Sequence, residues 1–340
     1  MKLIVTGGAG FIGSAFIRNT LAADQNIEIL NLDKLSYAGN LENLASVEAN
    51  RRYHFARTDI CDADAVAEQF DLFAPDAVVH FAAESHVDRS ILSPAAAVET
   101  NVRGTFVLLE AARAAKLERF VHVSTDEVYG SLEPPVEADE AFPLRPSSPY
   151  SASKSASDLL ALSYVATFKL DVVVTRAANN YGPYQFPEKL VPLMICNALE
   201  GRPLPIYGDG QQVRNWLHVD EHCEAILAVL RAGRTGEIYN IAGAATLANL
   251  DLIEQILVGV GADRSLMRFV DDRPGHDRRY ALSGEKLQRE TGWAAARPFN
   301  DGLADTIAWY AANGDWVQRV RSGAYQTYYD SNYARRLASA

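Results

Sequence analysis

Two apolar rhythms alternate along the chain. Short runs rich in Val, Ile, Leu, Phe and Tyr, at 2–6, 27–33, 53–58, 77–82, 119–124, 171–176, 237–242 and 267–271, predict strands. Between them, apolar residues recur with helical spacing near 11–23, 62–72, 94–116, 149–169, 189–200, 220–232, 249–260 and 302–313, which predicts helices with a buried face. The strand runs up to 176 are apolar throughout rather than alternating. A strand buried on both faces reads this way, so they predict a parallel sheet covered by helices on both sides. Strand–helix–strand repetition makes the fold class α/β, with a doubly wound sheet.

After Gly182 the rhythm changes. Pro183, Pro187, Pro192, Pro203, Pro205, Gly208 and Gly210 punctuate the chain, and helices no longer follow strands in regular turn. This predicts a smaller, mixed C-terminal domain lying over the carboxyl edge of the sheet. The expected division is 1–180 for the sheet domain and 181–330 for the second domain. The segment 215–245 is a candidate to rejoin the first sheet through the strand near 237–242.

Composition narrows the function classes. The 340 residues are 48% hydrophobic and 22% charged, which excludes a disordered, collagen-like or coiled-coil chain. Lys and Arg number 32 against 43 Asp and Glu, a net charge of -11. Such a chain gains no long-range attraction to nucleic acid or to an anionic membrane, so neither is an expected partner. An anionic small ligand would have to be held by local cations and backbone N–H groups. Cys61, Cys196 and Cys223 are scattered and form no Cys-x-x-Cys or Cys/His cluster, so neither a disulfide frame nor a metal site is expected. The chain enters a strand-like run at Lys2 without a basic and apolar leader, and no 18-residue uncharged apolar stretch occurs. A cytoplasmic protein is the expectation.

The first chemistry lies in residues 3–13, Leu-Ile-Val-Thr-Gly-Gly-Ala-Gly-Phe-Ile-Gly. Gly7, Gly10 and Gly13 stand three apart between a predicted strand and a predicted helix. Glycine permits the tight turn and the close approach of a pyrophosphate, and the helix start offers free N–H groups. Asp33 follows the second strand, 20 residues after Gly13. A carboxylate there accepts from ribose hydroxyls and repels a 2′-phosphate, so the cofactor expected is NAD and the sheet is Rossmann-type. Asp59 and Ile60 at the end of the third strand, and Ala82 and Ala83 at the end of the fourth, are candidates to flank adenine and ribose.

The second chemistry is a pair of motifs. Tyr150 and Lys154 form a Tyr-x-x-x-Lys pair on one helix face, where the ammonium would lower the phenol pKa and let Tyr150 take a proton from a carbinol as hydride leaves. Thr125, Asp126 and Glu127 follow the fifth strand at its carboxyl end, where open α/β sheets bind ligands. Thr125 can bond the same carbinol oxygen. The adjacent carboxyls, if both enter one closed cleft, can divide into an acid and a base, as removal of water requires.

These residues, with TGGAGFIGS (6–14), LDKLSYAGNLENL (32–44), FAAESHVDRS (81–90), STDEVYG (124–130), SPYSASK (148–154), NNYGPYQFPEKL (179–190), PIYGDG (205–210) and DRPGHDRRYA (272–281), resemble the extended short-chain dehydrogenase/reductase superfamily. Within it, they resemble the dTDP-glucose 4,6-dehydratases. The resemblance implies that NAD is held by Phe11, Ile12, Asp33, Lys34, Leu35, Ser36, Asp59, Ile60, Ala82, Ala83, Ser85, Thr100, Tyr150, Lys154 and Asn180. It implies a nucleotide-sugar substrate held by His86, Thr125, Asn179, Lys189, Leu190, Pro205, Ile206, Tyr207, Arg214, Asn249, Arg273 and His276. Lys189, Arg214 and Arg273 suit a diphosphate, although any one taken alone reads as a solvated charge. The chain departs from the family pattern at Ala177-Ala178 and Ala244-Ala245-Thr246, which bears on the nucleotide base and not on the chemistry.

The reaction implied is C4 oxidation, loss of water across C5 and C6, and return of hydride to C6, giving a 4-keto-6-deoxy sugar nucleotide. A 4-epimerase or decarboxylase would share the glycine loop and Tyr-x-x-x-Lys but would not need two carboxyls behind Thr125. A silent NAD-sensing protein would not need Thr125, Tyr150 and Lys154 together. Apolar residues on several faces of 94–116 and 149–169, together with dimeric relatives, imply a homodimer. The base preference and the downstream pathway stay open.

Overall fold

The computed structural model describes residues 1–321, 327–329 and 336–337. Twelve strands appear among them: β1 (Lys2–Thr6), β2 (Glu28–Leu32), β3 (Tyr53–Ala56), β4 (Ala77–His80), β5 (Arg119–Thr125), β6 (Val172–Ala177), β7 (Asn179–Tyr181), β8 (Leu204–Tyr207), β9 (Val213–His218), β10 (Ile238–Ile241), β11 (Ala245–Ala248) and β12 (Met267–Val270). Seven form one parallel sheet in the order β10-β6-β5-β4-β1-β2-β3. The strand order reverses between β1 and β4, which opens a crevice at the carboxyl ends of those strands. The fold is α/β with a Rossmann-type sheet.

The apolar runs account for the layering. In β1, Leu3 and Val5 pack into one core while Ile4 packs into the other, and all three are fully buried. Neither face can be left to water, since each such side chain contributes roughly 1.5–3 kcal/mol when buried. Helices Phe11–Ala23 and Val219–Ala232 cover one face; Ala63–Phe73, Thr105–Ala115 and Pro149–Phe168 cover the other.

A third core gathers the later segments. Helices Leu190–Leu199, Asn249–Val260 and Phe299–Ala312 pack around Ile195, Trp216, Ile256 and Tyr310. Two small sheets accompany them, β11-β9-β7 and β12-β8. The run near 267–271 is therefore a strand, but it pairs with β8 and not with the large sheet. The chain also returns to the first core. Val219, Cys223 and Ile226 pack there, β10 pairs in parallel with β6, and Leu282 and Leu287 join them.

One predicted helix is broken. Residues 94–116 read as continuous, but the structure has Pro94–Val98, a π-helical stretch Glu99–Gly104, and Thr105–Ala115. Gly104 marks the tight point, because a Cβ there would meet the Ile60 side chain at 2.5 Å. The wider turn directs Asn101 inward, where its Oδ1 accepts from the Glu84 N–H at 2.8 Å and its Nδ2 donates to Ser153 Oγ at 2.9 Å.

Candidate active site

At the carboxyl ends of the sheet lies a cavity of about 290 Å³. Its floor is the glycine turn after β1. Gly7 has φ +69°, and a Cβ on it would meet the Ala82 backbone at 2.7 Å. A Cβ on Gly13 would collide with the Gly7 carbonyl. The helix that follows has Gly10 at its N-cap and no side-chain cap, so its first N–H groups remain for a ligand. Asp33 ends β2; its Oδ2 accepts from the Ala9 N–H at 2.9 Å and its Oδ1 from the Leu35 N–H at 2.8 Å. Burial pushes the Asp33 carboxyl up, and those two bonds pull against it. The cradle, the uncapped helix start and the fixed carboxylate fit a dinucleotide.

Every cofactor position expected from the sequence lines this cavity except Leu35 and Asp59. Leu35 has φ 56° and contributes its N–H to Asp33. Asp59 has Oδ2 3.6 Å from Lys34 Nζ and Oδ1 accepting from the Cys61 N–H. Thr58 and Ile60 on either side of it line the wall instead.

Tyr150 and Lys154 are placed by the start of their helix. Pro149 occupies the first turn, and Ser148 and Ser151 form a reciprocal capping box, with Ser148 Oγ accepting from the Ser151 N–H at 3.1 Å. Ser90 Oγ accepts from the Tyr150 N–H at 3.2 Å. Lys154 is buried and donates from Nζ to the Val123 carbonyl at 2.8 Å. The sequence-based expectation of a lowered Tyr150 pKa is not met. Burial, with Glu127 beside it, pushes the phenol well above its ordinary value, and the hydrogen bond with Thr125 only partly opposes this. Burial also lowers Lys154 to about 8, against the pull of Asp158.

Thr125 ends β5 and caps the short turn Asp126–Tyr129, its hydroxyl accepting from the Glu127 N–H at 3.3 Å. Asp126 is 2% exposed, its Oδ2 has no hydrogen-bond partner, and burial followed by Glu127 raises it to about 8. Glu127 is also raised, by burial, but Arg273, Lys189 and Arg214 pull it down. Burial raises both adjacent carboxyls: Asp126 is held protonated at neutral pH, while three cations oppose the rise of Glu127.

A second cavity of about 160 Å³ adjoins the first, and Glu127, Asn179, Glu188 and Lys189 line both. Every substrate position expected from the sequence lines this second cavity except Thr125, which lines the first. The cations are not solvated charges. Arg214 is buried, stacks over Tyr280 at 4.2 Å and donates to the Val213 and Asp277 carbonyls. Arg273 donates to Asp88 Oδ1 at 2.7 Å, and Lys189 to the Ser85 carbonyl at 2.6 Å. His86 and His276 are each lowered to about 4, mainly by burial, so they are neutral hydrogen-bonding groups.

Sequence reasoning missed several lining residues. Asp88 holds both Arg273 and the Tyr207 hydroxyl, the latter at 2.9 Å. Glu188 accepts from Arg89 Nε at 2.9 Å, and His222 lies 2.9 Å from Asn180 Oδ1. Asp88 and Glu188 sit inside motifs already singled out, and their partners are distant in sequence, so only the folded contact distinguishes them from surface acids. Among the described residues no cluster of His, Cys, Asp or Glu could hold a metal ion, and no helix is long and apolar enough to cross a membrane.

Comparison with known proteins places this geometry. A family model described as GDP-mannose 4,6 dehydratase matches residues 4–306. The chain is 50% identical over 361 aligned positions to a Shigella flexneri dTDP-glucose 4,6-dehydratase, covering 99% of this chain and all of that one. A dTDP-glucose 4,6-dehydratase from Streptomyces venezuelae, crystallised with NAD and dTDP bound, superposes with a TM-score of 0.92 at 51% identity, covering 94% of this chain and 100% of the other. A Thermus thermophilus UDP-glucose 4-epimerase in complex with NAD shares the fold at a TM-score of 0.86 and 31% identity, covering 92% and 100%.

Proposed function

The chain belongs to the GDP-mannose 4,6 dehydratase family and, within it, to the dTDP-glucose 4,6-dehydratases, and on that premise we propose that Thr125, Asp126, Glu127, Tyr150 and Lys154 remove water from the hexose of a nucleotide diphosphate sugar. The chain is an NAD-dependent hydro-lyase acting on dTDP-glucose. In our reading, residues 1–180 serve the cofactor and 181–330 the sugar nucleotide, with the hexose at the junction of the two cavities. The observation that carries the assignment is the pair of buried carboxyls beside Thr125 and Tyr150, with Asp126 on the first cavity and Glu127 on both.

Tyr150, hydrogen-bonded by Thr125 and near Lys154, takes the proton of the 4-hydroxyl. The residues lining the first cavity would hold NAD⁺, which when bound would supply the hydride acceptor for C4 and the hydride donor for C6. The 4-ketone acidifies the C5 proton, which Glu127 takes. Asp126 gives its proton to the C6 hydroxyl, which leaves as water. Glu127 then returns its proton to C5, and the proton gained by Tyr150 balances the one Asp126 gave up. Lys189, Arg214 and Arg273 face the diphosphate. The two acids separate this reading from epimerisation, which needs only Thr125, Tyr150 and Lys154. Incubation with dTDP-glucose, UDP-glucose and GDP-mannose, followed by mass detection of one lost water, tests it. We expect the ketodeoxy product from dTDP-glucose; inversion at C4 without loss of mass overturns the assignment.

The helix Pro149–Phe168 carries an uncharged outer stripe, Ala152, Ala156, Leu159, Ser163 and Ala166, all exposed, beside exposed Val98 and Phe106. Leu159 is 59% exposed and Phe106 45%. A stripe of this kind fits a second copy of the chain in a homodimer. Light scattering should give twice the chain mass for the native protein and one chain mass for Leu159→Glu. A native monomer would refute the dimer.

A further inference from the structure

Behind the catalytic helix runs a chain of buried charges that the mechanism above does not use. Asp158 lies one turn beyond Lys154 on the same helix face and is 0% exposed. Its Oδ2 accepts from Arg176 Nε at 2.9 Å, and Arg176 on β6 is itself buried. Arg176 continues outward, donating from Nη1 to the Tyr129 hydroxyl at 3.0 Å, and Tyr129 donates to Asn240 Oδ1 at 2.8 Å. On the other side, His122 of β5 places Nε2 3.1 Å from Ser157 Oγ and 3.3 Å from Asp158 Oδ1. His80 of β4 follows, 5.4 Å from the His122 ring, with its own nitrogens on Thr6 and Thr105.

The groups facing Lys154 are therefore Tyr150 and Asp158 from its own helix, His122 from β5 and His80 from β4, with Arg176 of β6 behind Asp158. Burial makes both histidines neutral, with His122 near 4. Asp158, kept ionised by His122 and Arg176, is thus the single anion in a set holding two cations. A buried ammonium without a counter-charge gives up its proton, and one bonded to a single carbonyl has little else to keep it charged. Asp158 is the charge that resists this, and Arg176 holds the carboxylate in place.

We infer that Asp158 is a positioning residue for the oxidation step: anchored by Arg176 and His122 one helix turn from Lys154, it keeps the Lys154 ammonium charged. The inference rests on the reading that Tyr150 and Lys154 carry C4 oxidation.

The test isolates that step. A dTDP-6-deoxyglucose substrate has no C6 hydroxyl to lose, so the NAD-loaded enzyme can only oxidise C4, and NADH absorbance reports it without elimination by Asp126 and Glu127. The initial rate is followed from neutral to alkaline pH, where loss of the Lys154 charge ends activity. Asp158→Asn should move the alkaline limb down by about one pH unit. Asp158→Glu, which keeps the carboxylate, should leave it in place. A merely structural role would lower both rates and leave both limbs in place. An unmoved limb in Asp158→Asn, or a limb lowered as far in Asp158→Glu, overturns the inference; where Asp158→Asn does not fold, Asp158→Ser takes its place. Lys154→Met separates the two levels. If it oxidises C4 at the native rate, the assignment of Lys154 fails; if it is inactive while the limbs do not move, only the role of Asp158 fails.

Discussion

Glu127→Gln is expected to oxidise C4 and then stop. The amide keeps the shape of the carboxyl but takes no proton from C5, so reduced cofactor should accumulate on the enzyme while ketodeoxy product falls by roughly 10²–10⁴. The expectation follows from the position of Glu127 on both cavities and from the three cations that oppose its burial. Rapid-mixing absorbance for the reduced cofactor, with mass detection of the product, gives both readings in one experiment. Product at the native rate would remove Glu127 from the proton transfer. The same pair sets a pH limit. Asp126 acts in its protonated form and is raised to about 8, so elimination is supported below that pH and declines as pH rises through it.

Tyr150→Phe is expected to fail earlier. With the phenol gone, no group in reach of the 4-hydroxyl takes its proton, so neither reduced cofactor nor product should form, and turnover should fall by about 10²–10⁴. Folding and cofactor content should persist. The backbone bond to Ser90 and the capping box that place this turn do not involve the phenol. A burst of reduced cofactor at the native amplitude would show that another base starts the reaction.

The layout of the large sheet was legible because its signal is local and redundant. Continuous apolar strands mark burial on both faces, and Gly7, Gly10 and Gly13 mark a turn that side chains would block. The Tyr-x-x-x-Lys and Thr-Asp-Glu motifs were legible for a similar reason: each is compact in sequence and sits at a strand end or helix start. What escaped reading depends on distance. β7, β8 and β11 have only three or four residues, and β9 mixes charged and polar with apolar positions; each pairs with segments far apart in sequence. The π-helical turn at Glu99–Gly104 hides inside an apolar pattern that a plain helix would also satisfy. Tyr150 shows a different failure. The lysine one turn away was expected to lower its pKa, but burial and Glu127 outweigh that effect once the whole cleft is assembled.

The pairing of β10 with β6 has a consequence for how such enzymes can be rebuilt. A fragment ending at residue 180 would present the bare edge of β6, whose buried Val172, Val173 and Val174 invite it to stick to its neighbours. The large sheet is thus finished by residues contributed after the chain has already built β7, β8 and β9. Grafting a new sugar specificity onto this scaffold cannot be a single cut and splice; it needs two junctions, one on each side of the returning segment.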